Sequence, residues 1–231
     1  STRIWVSVVG IASIFFGSKG YADTVISVAD FGLKPDTREN AVAYVQKAIE
    51  ACRGKEPITL VFPEGRYDFW PQYAHEKNYY ETNTYDVFPK RLAMLFEGLH
   101  NITVDGNGSQ FVMHDRIQPI TVENCDGVTL KNFSIDWDIP LTDQARVTKV
   151  GSDFFEIEIN VLESPYIIED GKLVFVGEGW KSALGSMIEF ESDTHFVVPG
   201  TGDLVLGRNW RDYTAVSPRY GIVRLSRKGG F

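Results

Sequence analysis

The sequence predicts an all-β chain: a parallel β-helix with an N-terminal capping α-helix, joined to an inserted antiparallel β-barrel or sandwich domain. Three observations predict it. The triplet Ile102-Thr103-Val104 returns as Val128-Thr129-Leu130, 26 residues later, with turns of Asp, Gly and Asn between. That period lies in the range of about 20 to 50 residues that marks solenoids and related arrays. One amphipathic helical pattern precedes the repeat, and after Pro140 the repeat gives way to strict alternation broken by hairpin turns.

The first residues combine Arg3, an apolar run from Ile4 to Phe16, and the small residues Gly20 and Ala22 before Asp23. This n-h-c order reads as a signal peptide over 1–22 and predicts export to a periplasm or cell surface. The apolar run is too short to span a bilayer, which takes roughly 20 residues, so no membrane-spanning segment is expected. The ends of the sequence also suggest a piece of a longer chain, with the last strand-like run, Gly221 to Leu225, left without a covering layer.

Residues 23–142 are expected to form the cap and first coils. Val25 to Val28 reads as a strand, Ala29-Asp30-Phe31-Gly32 as a turn, and Lys34-Pro35-Asp36-Thr37 as the opening of a helix capped by Asp36 or Thr37. Ala41, Tyr44, Val45, Ala48, Ile49 and Cys52 give that helix its apolar face, and Gly54 stops it. Ile58 to Phe62 and Arg66 to Phe69 follow as strands around a Pro63-Glu64-Gly65 turn. From Trp70 to Lys90 the pattern breaks into a loop carrying Trp70, Tyr73, Tyr79, Tyr80, Tyr85 and Phe88. Two readings stand for these rings: a wall that stacks on sugars, or side chains that pack the loop down.

In the last coil Val128, Leu130, Phe133 and Ile135 are the expected inward residues, so alternation puts Asp136 and Asp138 together on the opposite face, flanking Trp137. Three readings stand for the two carboxylates: solvated strand ends, sugar-hydroxyl acceptors, or an acid/base pair. Arg116 is either a fork for sugar hydroxyls or the partner of Asp115, and His114 reads as a loop histidine. Asp136, Trp137, Asp138 and Arg116 are the candidate substrate-binding residues. Neither metal-ligand spacing nor a cofactor motif is present, so no metal and no cofactor are expected, and Cys52 and Cys125 do not make a disulfide framework.

Residues 143–231 form the expected antiparallel domain. Ala145 to Val150, a Gly151-Ser152-Asp153 turn and Phe154 to Val161 read as a hairpin, and Leu173 to Val176 follows Asp170-Gly171 as a further strand. A formal charge of −8 and a pI near 5.1, with no Lys/Arg stripe, argue against a nucleic-acid or anionic-membrane partner and point to a neutral substrate. Homo-oligomerisation stays open.

Two resemblances sharpen this reading. Val28 to Gly32, Lys34-Pro35-Asp36 and Val61 to Tyr67 resemble the N-terminal cap of pectin-lyase-like proteins, which implies a right-handed parallel β-helix. Lys90 to Met94, Asn101 to Gly106, His114-Asp115-Arg116 and Asn132 to Pro140 resemble glycoside hydrolase family 110, the bacterial exo-acting α-1,3-galactosidases. That resemblance implies removal of terminal α-1,3-linked galactose from blood-group-B-type glycans, by inversion and without metal. It places the catalytic carboxylates on later coils, so no residue of this chain takes those roles. The alternatives are a β-helix polysaccharide lyase and a non-catalytic glycan-binding module.

Overall fold

The structure, a computed structural model, describes residues 24–79, 89–199, 204–205, 213–227 and 229. The expected signal peptide and the loop aromatics Tyr80, Tyr85 and Phe88 lie outside the described residues. The described part is all-β apart from one α-helix and one 3-10 turn, and no helix in it is long and apolar enough to cross a membrane.

Strand β1 (Thr24–Ser27) leads through the 3-10 turn Val28–Phe31 to α1 (Val42–Cys52). The helix starts later than Asp36 or Thr37 would start it. Asp36 and Arg38 adopt left-handed conformations, with φ of 61° and 59°, and Asp36 spends its Oδ1 on the Arg66 N–H instead. Asn40 takes up the helix entrance, its Oδ1 accepting from the Val42 N–H at 3.1 Å. The predicted apolar face is the buried one: Val42, Val45, Ala48, Ile49 and Cys52 pack over the ends of the first strands.

Strands β2 (Ile58–Val61), β3 (Arg66–Phe69), β4 (His75–Lys77), β5 (Lys90–Glu97), β6 (His100–Met113), β7 (Gln118–Glu123) and β8 (Asp126–Trp137) build two parallel stacks, β4 pairing antiparallel at one edge. The 14-residue β6 is bent at Asn107 and Gly108, both of positive φ, so its first half lies on β2 and its second half on β3. On its other side β8 repeats the bend at Asn132. Ile102 pairs with Val128 and Val104 with Leu130, the register of the 26-residue repeat, and Leu92 pairs with Gln118 in the second stack at the same offset. Gly106 lets the rungs close up: a Cβ there would stand 2.5 Å from Cβ of Phe133.

Phe62, Phe111 and Phe133 run through the core as a column, with centroids 4.7 and 4.8 Å apart. Of the expected inward residues, Val128 and Phe133 pack against this core, whereas Leu130 and Ile135 are 39% and 37% exposed. They stand in register with the buried Val104 and Phe111, but β8 has a described parallel neighbour on one side only.

The rest is antiparallel. Strands β9 (Ala145–Val150), β10 (Phe154–Ile159), β11 (Tyr166–Glu169), β12 (Lys172–Gly177), β13 (Trp180–Ala183), β14 (Ser186–Met187), β15 (Leu204–Val205), β16 (Tyr213–Arg219) and β17 (Ile222–Arg227) form one four-stranded sheet in the order β16-β17-β10-β9, a three-stranded sheet β11-β12-β13, and the pair β14-β15. The Asp170-Gly171 turn between β11 and β12 has both residues at positive φ, as a two-residue hairpin requires. A second core of Ile157, Leu173, Phe175, Tyr213, Val223 and Leu225 lies between these sheets.

Candidate functional site

Where the parallel strands end, three residues stack. Trp70 follows β3, His114 follows β6 and Asp138 follows β8; the His114 N–H donates to the Phe69 carbonyl at 2.9 Å and the Asp138 N–H to the Met113 carbonyl at 3.0 Å. The ladder therefore superposes the three positions. The Trp70 indole lies flat on the His114 imidazole, centroids 3.8 Å apart and planes 11° from parallel. Asn40 holds this segment in place by accepting from the Trp70 N–H and donating to the Gln72 carbonyl.

His114 is 3% exposed and meets a carboxylate on each nitrogen: Asp68 Oδ1 at 2.8 Å from Nε2 and Glu178 Oε2 at 2.6 Å from Nδ1. Carboxylates only accept, so both contacts are hydrogen bonds at once when the ring carries both protons. Asp68 is wholly buried, and Arg66 clamps it with Nε at 3.0 Å and Nη2 at 2.6 Å. The same Nη2 reaches Asp138 Oδ1 at 2.8 Å, and Arg38 stands 3.7 Å from Asp138 and 3.9 Å from Asp68. Burial raises the Asp68 carboxyl, but the hydrogen bonds and charges of Arg66 and His114 outweigh it and hold the group below its ordinary value. Arg38 and Arg66 stand against Asp68 and Asp138, and both ring nitrogens of His114 are taken up by Asp68 and Glu178.

Glu178 comes from the two-residue turn between β12 and β13, where Gly177 pairs with Trp180. Glycines flank it for steric reasons. A Cβ on Gly177 would fall 2.1 Å from the Trp180 ring, and one on Gly179, at φ 72°, would fall 2.5 Å from Asp115 Oδ2. The turn thus fits between Asp115 and His114 and ties the antiparallel strands to the parallel ones.

Of the residues singled out from sequence, Asp138 belongs to this cluster. Asp136 stays exposed, its Oδ1 accepting from the Trp137 N–H. Trp137 leans on the core and donates Nε1 to the Asp115 carbonyl at 3.2 Å. Arg116 forms no ion pair with Asp115: its backbone N–H donates to Asp115 Oδ1 at 2.6 Å, and its guanidinium stands over the Trp180 ring at 5.9 Å. His114, expected as a loop histidine, is the buried centre of the site. Arg38, Arg66, Asp68 and Glu178 were not anticipated. One signal was present, since Arg66, Asp68 and Trp70 alternate with the core residues Tyr67 and Phe69 and so share a face.

The cluster can order sugar hydroxyls through the partly exposed carboxylates of Asp138 and Glu178, or hold a cation, since one ligand atom from each of His114, Asp138 and Glu178 lies within 4.8 Å of the others. It is not suited to inverting hydrolysis on its own, because an acid and base in that role stand about 6.5 to 9.5 Å apart with room for water.

Comparison with known proteins finds one matching family model and several curated relatives. The model of the GLAA-B beta-barrel domain I matches residues 143–230. Alpha-1,3-galactosidase B of Bacteroides thetaiotaomicron is 57% identical over 205 residues, 89% of this chain and 33% of that protein. Alpha-1,3-galactosidase A of Shewanella woodyi is 36% identical over 72% of this chain and 28% of its own length, and alpha-1,3-galactosidase B of Parabacteroides distasonis is 34% identical over 94% and 36%. The chain spans about a third of the length of these curated relatives.

Proposed function

We propose, from the similarity to the alpha-1,3-galactosidases, that the whole protein is an exported glycosidase that removes terminal α-1,3-linked galactose from blood-group-B-type and related glycans with inversion. The observation that carries the reading is the 57% identity extending over 89% of the chain. Export rests on the leader-like order of residues 1–22.

In this reading the parallel strands from β1 to β8 are the start of a right-handed parallel β-helix, supported by the 26-residue register, and residues 143–231 are a barrel inserted into it. Asp138 offers its carboxylate and Arg116 its guanidinium to glycan hydroxyls at the seam, with Asp136 and Trp137 alongside. The acid and base come from parts of the whole protein outside this chain. Asp138 is neutralised by Arg66 and Arg38, and its spacing from Glu178 is too short for an inverting pair.

The test is incubation of the whole protein with an α-1,3-galactose-terminated trisaccharide while proton NMR follows the released sugar. Free β-galactose appearing first is the expected result. Intact trisaccharide with retained binding would reduce the protein to a glycan-recognition module, and α-galactose appearing first would overturn inversion.

A further inference from the structure

Asp68 and His114 have the layout of a carboxylate–histidine pair that presents one ring nitrogen for coordination. A metal-binding histidine usually donates its other N–H to a carboxylate, which fixes the ring and its tautomer. Here Nε2 is held by Asp68 at 2.8 Å, Asp68 is wholly buried and clamped by Arg66, and Trp70 lies flat on the ring. Nδ1 then faces Glu178, and a carboxylate oxygen of Asp138 lies within 4.8 Å of a ring nitrogen and of Glu178.

We propose that His114 Nδ1, Asp138 and Glu178 bind one divalent transition-metal ion of the Zn²⁺ class, with Asp68 as the positioning carboxylate. The three donors are already gathered within 4.8 Å, although His114 and Glu178 are 64 residues apart in the chain. Bonds of about 2.0 to 2.2 Å place neighbouring donors roughly 3 to 4 Å from one another, so Glu178 has only to draw back from its 2.6 Å contact and Asp138 to close in. Glu178 has that freedom: it is 34% exposed, at a hairpin tip between two glycines. Asp138, 38% exposed, keeps Oδ1 on Arg66 and has Oδ2 to offer. An imidazole nitrogen beside two carboxylates favours a first-row transition ion over Ca²⁺ or Mg²⁺, which prefer oxygen alone.

This inference does not depend on the glycosidase reading, and its test reads binding, not turnover. The complete natural chain, freed of metal with a chelator and dialysed, is titrated with ZnCl₂ by calorimetry, alongside Glu178→Ala and Asp138→Asn; both substitutions sit on partly exposed side chains. One Zn²⁺ per chain, weakened at least about tenfold by each variant, is expected, together with a Zn²⁺-dependent rise in Tm that Glu178→Ala abolishes. Absence of stoichiometric binding, or binding that neither variant changes, overturns the site.

Discussion

His114 and Glu178 meet at 2.6 Å across 64 residues of chain, and the contact joins a parallel rung to an antiparallel hairpin. The imidazole that Glu178 touches is itself held from behind by Asp68, so one side chain serves both layers. Replacing His114 with Gln leaves the buried Asp68 to Arg66 and the more distant Arg38, and takes from Glu178 its imidazole partner. Leaving a buried polar group short of a hydrogen-bond partner costs about 1 to 3 kcal/mol, and His114→Gln is expected to lose about 2 kcal/mol in urea unfolding.

Asp68 makes the fold sensitive to acid. Its carboxyl is depressed in the folded state, so its contribution is fully present above the unfolded value, about 3.9, and is lost as pH falls through the lower folded value. Stability should therefore drop below about pH 4. Asp68→Asn is expected to be less stable at pH 7 and to show a shallower acid limb in Tm measured from pH 6 to pH 2.

Gly179 gives Glu178 its place. At φ 72°, with Asp115 Oδ2 only 2.5 Å from where a Cβ would stand, alanine there meets both backbone strain and a clash. Gly179→Ala is expected to cost about 1 to 3 kcal/mol. NMR of the His114 ring should show the Glu178 contact weakened while the Asp68 contact persists.

The 26-residue register was legible because a parallel stack repeats its inward column at the repeat distance, and Ile102 and Val128 carry that signal locally. The helical face and the hairpin at Gly151 were legible for the same reason: each is written in residues a few positions apart. The late start of α1 was not, since Asn40 and Asp36 are committed to partners 30 or more residues away. The cluster was least legible of all. His114, Asp68 and Glu178 meet through tertiary placement over 46 and 64 residues, and no local period reports such a meeting.

Gly106 tests the stacking of rungs directly. A side chain there would press on Phe133 Cβ at 2.5 Å and on the Asn132 carbonyl at 2.7 Å. Gly106→Val is expected to destabilise by about 2 kcal/mol or more, through overpacking between β6 and β8, with slower exchange of the Ile102 to Asp105 amides lost.

The two thiols should react differently. Both cysteines are free; burial pushes the Cys52 thiol up to about 11, and its Sγ donates to the Ala48 carbonyl at 3.2 Å, whereas Cys125 is partly exposed. A thiol reagent at pH 8 is expected to label Cys125 in the folded protein and Cys52 only after unfolding, as read by mass spectrometry.

The central structural claim is that the antiparallel strands are tied to the parallel rungs through His114. The most direct measurement is a double-mutant cycle of His114→Gln and Glu178→Ala, with stabilities taken from urea unfolding at pH 7 in the presence of chelator. A coupling of about 1 kcal/mol or more is predicted, because each residue loses the same partner. Additive effects, within about 0.3 kcal/mol, would contradict the tie and leave Glu178 as a bystander on the hairpin tip.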